Sequence, residues 1–200
     1  MILKLHVAGL NCRESAFLLE NDPNLIASLL ELVQEELDGL GLLDRMGRIR
    51  VGIALQEALT NDLFHGNLEV SSNLRQEDEQ LFFKEAEARR WREPYILRRV
   101  RVIVGVDHHA VTFTIGDEGP GFDTSRFDRP IDHEDLVRIG GRGLLLIRTF
   151  MDEVAFNAAG NSITMVKRFQ TPLRPVPGCC AGEGFLDGND RDQPAEALSW

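Results

Sequence analysis

The sequence predicts an α+β chain, and two observations support that prediction. Apolar residues recur at helical spacing across residues 25–37 and again across 49–63. Apolar residues alternate with polar ones across residues 100–115, and the pattern returns in residues 153–169. Alternation of this kind is the two-residue period of strands that bury one face, so helices and hairpins are expected to pack against each other.

The first elements have clear boundary signals. Residues 2–7 alternate and predict a short strand, and residues 15–20 are a candidate second strand. Asp22 is predicted to cap the first helix and Pro23 to be its first residue, because aspartate is a good N-cap and proline fits the first turn. Gly39 and Gly41 lie where the apolar spacing ends and mark the end of this helix.

A second helix is predicted over residues 44–65, with Gly66 as its stop. Its expected apolar face consists of Ile49, Ile53, Leu59 and Leu63. Residues 71–93 are very highly charged and carry only an intermittent apolar stripe. They predict a surface helix that ends at Pro94 and is inserted between two core elements.

The remaining pattern predicts two hairpins with a helix between them. Residues 99–115 form the first hairpin, residues 143–151 the helix and residues 153–169 the last hairpin. From residue 171 the chain is rich in proline, glycine and acids, so we expect a domain over residues 1–170 and a flexible tail over 171–200.

Composition narrows the functional classes. The formal net charge of −10 argues against nucleic acid as a direct partner, because phosphate backbones favour basic surfaces. The odd number of cysteines, three, shows no metal-ligand spacing. The start of the sequence lacks the pattern of a signal peptide, and no run reaches the roughly 20 apolar residues of a membrane helix. A cytoplasmic protein without a membrane segment is expected.

Three segments carry residues suited to chemistry. The first is helical, where Glu57, Asn61 and His65 recur at four-residue spacing and share one polar stripe. An amide oxygen suits Mg²⁺, and a carboxylate one turn away can accept a proton. A solvated helix face is the alternative reading of this stripe.

The second segment is the run Asp117-Glu-Gly-Pro-Gly-Phe-Asp123, directly after an apolar strand. Its glycines permit close approach to a planar ligand, and its aspartate can accept a hydrogen bond from an amino group. The third is Gly140-Gly-Arg-Gly-Leu-Leu-Leu-Ile147, which opens a helix whose amides could bind an anion. A plain turn and a flexible linker are the alternatives.

The order of these segments resembles the N, G1 and G2 boxes of the GHKL ATPase superfamily. Within it, Glu57-Ala-x-x-Asn61, the Gly140–Ile147 run and Met151-Asp-Glu-Val154 are similar to the anti-sigma-factor serine kinases. The resemblance implies a two-layer α/β sandwich of the Bergerat or histidine-kinase-like type. It also implies a mixed, mostly antiparallel sheet with helices on one face.

The resemblance implies a role for each matching residue. Asn61 would hold Mg²⁺ on the phosphates of ATP, and Glu57 would be the general base. Residues 122–142 would form the ATP lid, and His65 would contact the lid or phosphate, or else cap its helix. The remaining ATP-binding residues would be Asp117 for the adenine amino group, Gly119 and Gly121 beside it, Gly141, Arg142, Gly143 and Leu144 at the phosphates, and Thr164 near adenine.

The implied function is an ATP- and Mg²⁺-binding anti-sigma factor that phosphorylates its antagonist on serine or threonine. Its partners would be a sigma factor, the antagonist protein and, by the same resemblance, a second copy in a homodimer. A non-catalytic, ATP-gated interaction module is the main alternative. A sensor histidine kinase fits less well, because the only histidine before the N box is His6.

Overall fold

The computed structural model describes residues 2–8, 13–124 and 142–169 of the chain, with only the backbone of residues 2–8 and of Arg142. The elements in chain order are β1 (Ile2–Ala8), β2 (Arg13–Leu19), α1 (Pro23–Leu40), α2 (Arg45–Asn61), a π-helical turn (Asp62–Asn67), α3 (Ser72–Glu77), α4 (Glu79–Arg90), a 3-10 turn (Tyr95–Leu97), β3 (Val100–Val106), β4 (Ala110–Gly116), α5 (Arg142–Phe150), β5 (Glu153–Phe156) and β6 (Ser162–Arg168).

Six strands form one sheet in the order β1-β2-β3-β4-β6-β5. The sequence predicted a mixed, mostly antiparallel sheet, and each described pairing is antiparallel. The buried side chains of β2, β3, β4 and β6 alternate along each strand, so one face of the sheet forms the core with the helices. The predicted α+β fold is therefore confirmed.

Helix α1 begins and ends close to where the sequence predicted. The Asp22 side chain accepts a hydrogen bond from the Asn24 amide at 3.0 Å, and Pro23 is the first helical residue. Gly41 ends the helix with φ of +62°, a left-handed conformation that glycine adopts without strain. Four apolar residues of α1 are buried: Ile26, Leu29, Val33 and Leu37.

Helix α2 contacts both α1 and α5, but its buried face differs from the predicted one. Ile49, expected in the core, is 44% exposed. Leu59 and Leu63 are buried as predicted, and the rest of the core face is formed by Val51, Ala54, Leu55 and Ala58. Alanines occupy two of these last four positions and leave little side-chain volume between α2 and its neighbours.

The predicted end of α2 at Gly66 is also different. The α-helix ends at Asn61 and the chain continues as the π-helical turn, in which the Leu68 amide donates to the Leu63 carbonyl at 3.0 Å. Turns of this type often occur at functional sites. The predicted single helix over residues 71–93 is two helices, α3 and α4.

Phe82 is the most deeply buried residue that attaches the charged segment to the core. Phe82 of α4 is fully buried, and its ring centroid lies 5.2 Å from that of Phe64 in the π-helical turn. Burial of a phenylalanine stabilises by about 1.5–3 kcal/mol, so α4 is held against the end of α2. Within the described ranges, the protein contains no helix with the length and apolarity needed to cross a membrane.

Candidate functional site

A cavity of about 520 Å³ opens between the end of α2, the turn after β4, helix α5 and the β5–β6 hairpin. Its volume lies in the range of small-molecule and cofactor sites. The apolar part of its wall comes from Ala58, Leu144, Ile147, Phe156 and Ile163. The polar part comes from Asn61, Asp62, His65, Ser72, Asp117, Asp123 and Ser162.

Asn61 and Glu57 lie beside the start of α5. A β-carbon added to Gly143 would fall 2.6 Å from Glu57 Oε2 and 3.7 Å from Asn61 Nδ2. Gly143 is the second residue of α5, so the amide and the carboxylate of α2 meet the N-terminal end of that helix. This end combines backbone amides, which attract anions, with an oxygen ligand suited to a hard cation.

Asp117 lies at the opposite side of α2's end, next to the π-helical turn. A β-carbon on Gly66 would overlap the Asp117 carboxylate, and one on Gly119 would overlap the Gly66 carbonyl. Glycine at both positions therefore lets the turn after β4 approach the helix end closely. The Gly119 amide donates to Asp117 Oδ1 at 2.7 Å, which orients the carboxylate.

Burial raises the pKa of Asp117 above its usual value, and the Gly119 amide and Arg98 oppose that rise. A carboxylate taken partly out of water favours a ligand that supplies hydrogen-bond donors. Because Asp117 lines the cavity, its carboxylate can accept from an amino group of a bound ligand.

Gly121 and Gly160 allow the turn after β4 to contact the β5–β6 hairpin. Their φ angles are +75° and +73°, a region that favours glycine. A β-carbon at Gly121 would overlap the Ala159 carbonyl. The Phe122 ring meets the Phe156 ring edge to face, with centroids 5.3 Å apart. The hairpin and the turn thus close one side of the cavity.

Asn67 joins three parts of the site, although no sequence pattern singles it out. Its side chain is fully buried, accepts from the Glu118 amide at 2.8 Å and donates to Asn21 Oδ1 at 2.8 Å. Asn21 in turn donates to the Tyr95 carbonyl at 2.8 Å. This chain of amides fixes the end of α2 relative to the Asp117 turn.

His65 lines the cavity and also has a structural role. Its Nδ1 lies 2.6 Å from the Val70 carbonyl, so that nitrogen carries the proton that it donates. Burial lowers the pKa of His65, and nearby Arg75 lowers it further. The Phe82 ring centroid lies 6.0 Å from that of the imidazole, so α4 of the charged segment packs behind a cavity residue.

Two further cavity residues were not anticipated. Ser72, the first residue of α3, lines the cavity, so the charged segment contributes directly to the site. Asp62 follows Asn61, and its Oδ2 is shielded from solvent with no hydrogen-bond partner among the described residues. Burial, together with the nearby Asp117 carboxylate, raises the pKa of Asp62 well above its usual value.

The structure brings most of the predicted residues to one place. Those that line the cavity are Asn61, His65, Asp117, Gly121 and Leu144. Glu57, Gly119 and Gly143 lie directly behind or beside them. Gly141, the side chain of Arg142 and most of the predicted lid lie outside the described residues.

Thr164 is the exception, and its orientation does not support the predicted contact with adenine. Its neighbours Ile163 and Met165 face the core, so Thr164 points to the other face of the sheet, where its Oγ1 lies 3.3 Å from Thr114 Oγ1. Ser162, two residues earlier, lines the cavity instead, because it lies at the end of β6 beside the hairpin turn.

The sequence of the chain matches a family model. The model describes a histidine kinase-like ATPase domain and matches residues 19–167, well over half of the chain. The chain belongs to this family. The matched region contains the described helices, nearly all of strands β3 to β6 and the residues that line the cavity. No curated protein matches the chain at a significant level.

Membership of the histidine kinase-like ATPase family supports an ATP-using kinase or ATPase. The residues present fit ATP, because the cavity offers a partly buried acceptor, Asp117, and a helix N-terminus at α5. They also fit Mg²⁺, because Asn61 presents an amide to the cavity beside that helix start. Within the described residues, no cluster of three or more histidine, cysteine or acidic side chains forms a metal site of its own.

Proposed function

We propose that this protein binds ATP with Mg²⁺ and transfers the γ-phosphoryl group to a serine or threonine of a partner protein. In this proposal the chain is an anti-sigma factor, and the phosphorylated partner is its antagonist. The observation that carries the kinase proposal is the meeting of Glu57, Asn61 and Gly143 at the start of α5. A carboxylate, a metal-binding amide and helix N-terminal amides together suit phosphoryl transfer.

Each group has a distinct task in the proposal. Asn61 would hold Mg²⁺, which neutralises charge on the phosphates when it is bound. The amides at the start of α5 would bind phosphate oxygens. Asp117 would accept from the adenine amino group and fix the other end of the nucleotide.

The transfer itself needs one proton acceptor. The partner's hydroxyl oxygen attacks the γ-phosphorus, and the bond from that phosphorus to the bridging β–γ oxygen breaks, so ADP leaves with the electron pair. The hydroxyl proton passes to the Glu57 carboxylate. Glu57 lies on α2 one turn before Asn61, which keeps the proton acceptor and the metal-binding amide on one stripe.

The kinase proposal is tested by incubating the protein with γ-labelled ATP and candidate antagonist proteins that carry exposed serines and threonines. We expect label on the partner, and we expect Glu57→Gln to lower transfer by about 10²–10⁴-fold, the usual contribution of a general base, while ATP affinity stays within about threefold. Gln56 precedes Glu57, is exposed and does not line the cavity, so Gln56→Ala is the control.

A result in which wild-type protein binds ATP but labels no partner would contradict the kinase proposal. That result would favour the alternative of an ATP-gated interaction module, in which the nucleotide only changes a partner-binding surface. Full transfer by Glu57→Gln would remove Glu57 as the proton acceptor and leave ATP binding untouched.

The anti-sigma role is supported by the sequence resemblance of the Gly140–Ile147 run and of Met151-Asp-Glu-Val154. It is tested by co-purification of the tagged chain with purified sigma factors, in ATP and in ADP. Retention of one sigma factor that the unphosphorylated antagonist displaces is the expected result. Sedimentation of the chain alone tests the proposed homodimer.

A further inference from the structure

Asp62 is a cavity carboxyl that the proposed chemistry does not use. It is the first residue of the π-helical turn, and its backbone amide donates to the carbonyls of Ala58 and Leu59. The side chain lines the cavity. Asp62 lies between the last turn of α2 and the π-helical turn, and the hydrogen bonds of both turns fix the direction of its Cα–Cβ bond.

The carboxyl has an unsatisfied oxygen. Asp62 Oδ2 is shielded from solvent and lacks a hydrogen-bond partner among the described residues. A buried polar atom without a partner is costly, and such atoms in native proteins call for an explanation. Turning of the Asp62 side chain toward a ligand donor in the cavity would remove that cost.

The position of Asp62 relative to Asp117 indicates which part of a ligand it meets. Asp62 and Asp117 both line the cavity. Gly66, one turn beyond Asp62, is in contact with the Asp117 carboxylate. The Gly119 amide occupies Asp117 Oδ1, and the second Asp117 oxygen remains for a ligand. Two carboxyls therefore present acceptor oxygens to the same region of the cavity.

We propose that Asp62 is a second acceptor for the exocyclic amino group of adenine, so that Asp117 takes one amino hydrogen and Asp62 takes the other. The inference rests on the proposed binding of ATP with adenine at Asp117. A carboxyl oxygen accepts whether or not the group carries a proton, because the neutral acid keeps a carbonyl oxygen. Nucleotides with a carbonyl in place of the amino group would lack the two amino hydrogens that the carboxyls accept.

The test compares the Kd of ATP with that of purine riboside triphosphate, which lacks only the amino group, by calorimetry in Mg²⁺. The proteins are the full-length wild type, Asp62→Ala and Asp62→Asn. In Asp62→Ala we expect the ATP Kd to rise about tenfold, the size of one hydrogen bond to a buried carboxyl, and the analogue Kd to stay within about twofold. Asp62→Asn keeps an acceptor oxygen and is expected to keep most of the wild-type preference.

Equal weakening of both nucleotides in Asp62→Ala, or no change in either, would overturn the role of Asp62 while leaving ATP binding in place. Failure of the wild type to bind ATP at all would instead overturn the proposed function, and this inference with it. Thermal unfolding without ligand checks folding, and Asp62→Ala is expected to unfold no lower than the wild type because it removes an unsatisfied buried oxygen.

Discussion

Substitution of Asn67 by alanine should destabilise the protein and loosen the Asp117 turn. The fully buried side chain makes two hydrogen bonds, one from the Glu118 amide and one to Asn21 Oδ1, each 2.8 Å long. Loss of the donor to buried Asn21 should cost about 1–3 kcal/mol, because that oxygen keeps no substitute. The Glu118 amide lies nearer the surface and should add about 0.5–1.5 kcal/mol.

The expected loss in the free energy of unfolding is therefore about 1.5–4.5 kcal/mol, measured by urea titration without nucleotide. For a domain of this size the melting temperature should fall by about 3–18 °C. Asn67→Asp should be at least as damaging, since it keeps the acceptor for Glu118 but turns the donor toward Asn21 into a second acceptor. A loss below about 0.5 kcal/mol in Asn67→Ala would refute the claim that this amide joins the turn to the helix.

Three further predictions follow from the packing around the cavity. Gly119→Ala places a methyl group on the Gly66 backbone carbonyl, so calorimetry should show ATP binding weakened by more than about tenfold; unchanged affinity would mean that the turn has room to move. Phe82→Ala should cost about 3–5 kcal/mol in urea unfolding, whereas the half-exposed Leu81→Ala should stay within about 0.5 kcal/mol, and equal losses would contradict the anchoring role of Phe82. Burial lowers the pKa of His65, so the unfolded chain takes up a proton on this histidine at a higher pH than the folded protein does. The melting temperature should therefore fall as pH drops below about 6.5. His65→Asn should flatten that fall, and an identical pH profile in the variant would contradict the role of His65.

Patterns among residues close in sequence predicted the helices and strands whose boundaries depend on those same residues. Asp22 and Pro23 fix the start of α1, and the alternating valines of β3 fix a strand, because capping and two-residue periodicity depend on neighbours in sequence. The orientation of an element in the assembled fold depends on contacts that are distant in sequence. Ile49 was therefore expected in the core and is largely exposed.

The site shows the same difference between what residues close in sequence determine and what contacts across the fold determine. The polar stripe of Glu57 and Asn61 and the aspartate of the Asp117 turn were predicted from spacing, and the structure brings them to one cavity. Asn67 and Asp62 were missed, because their importance comes from burial and from partners or missing partners across the fold. In the sequence, Asp62 and Asn67 are distinguished only as polar residues close to the N-box positions at the end of a helix.

The connection between the charged segment and the site was also invisible in sequence. Its acidic and basic residues predicted a surface helix, and six of the twelve residues of α4 are exposed. The Phe82 ring lies beside those of Phe64 and His65, and Ser72 lines the cavity. The packing that links the segment to the cavity is visible only in three dimensions.

The central claim is that Asn61 and Asp117 face one cavity that binds ATP with Mg²⁺. Calorimetric titration of ATP with and without Mg²⁺, on wild type and on Asn61→Ala, tests it most directly. Mg²⁺ is expected to tighten ATP binding to the wild type, and this tightening is expected to disappear in Asn61→Ala while the protein stays folded. Equal affinity of both proteins for ATP in Mg²⁺, or no ATP binding by the wild type, would contradict it.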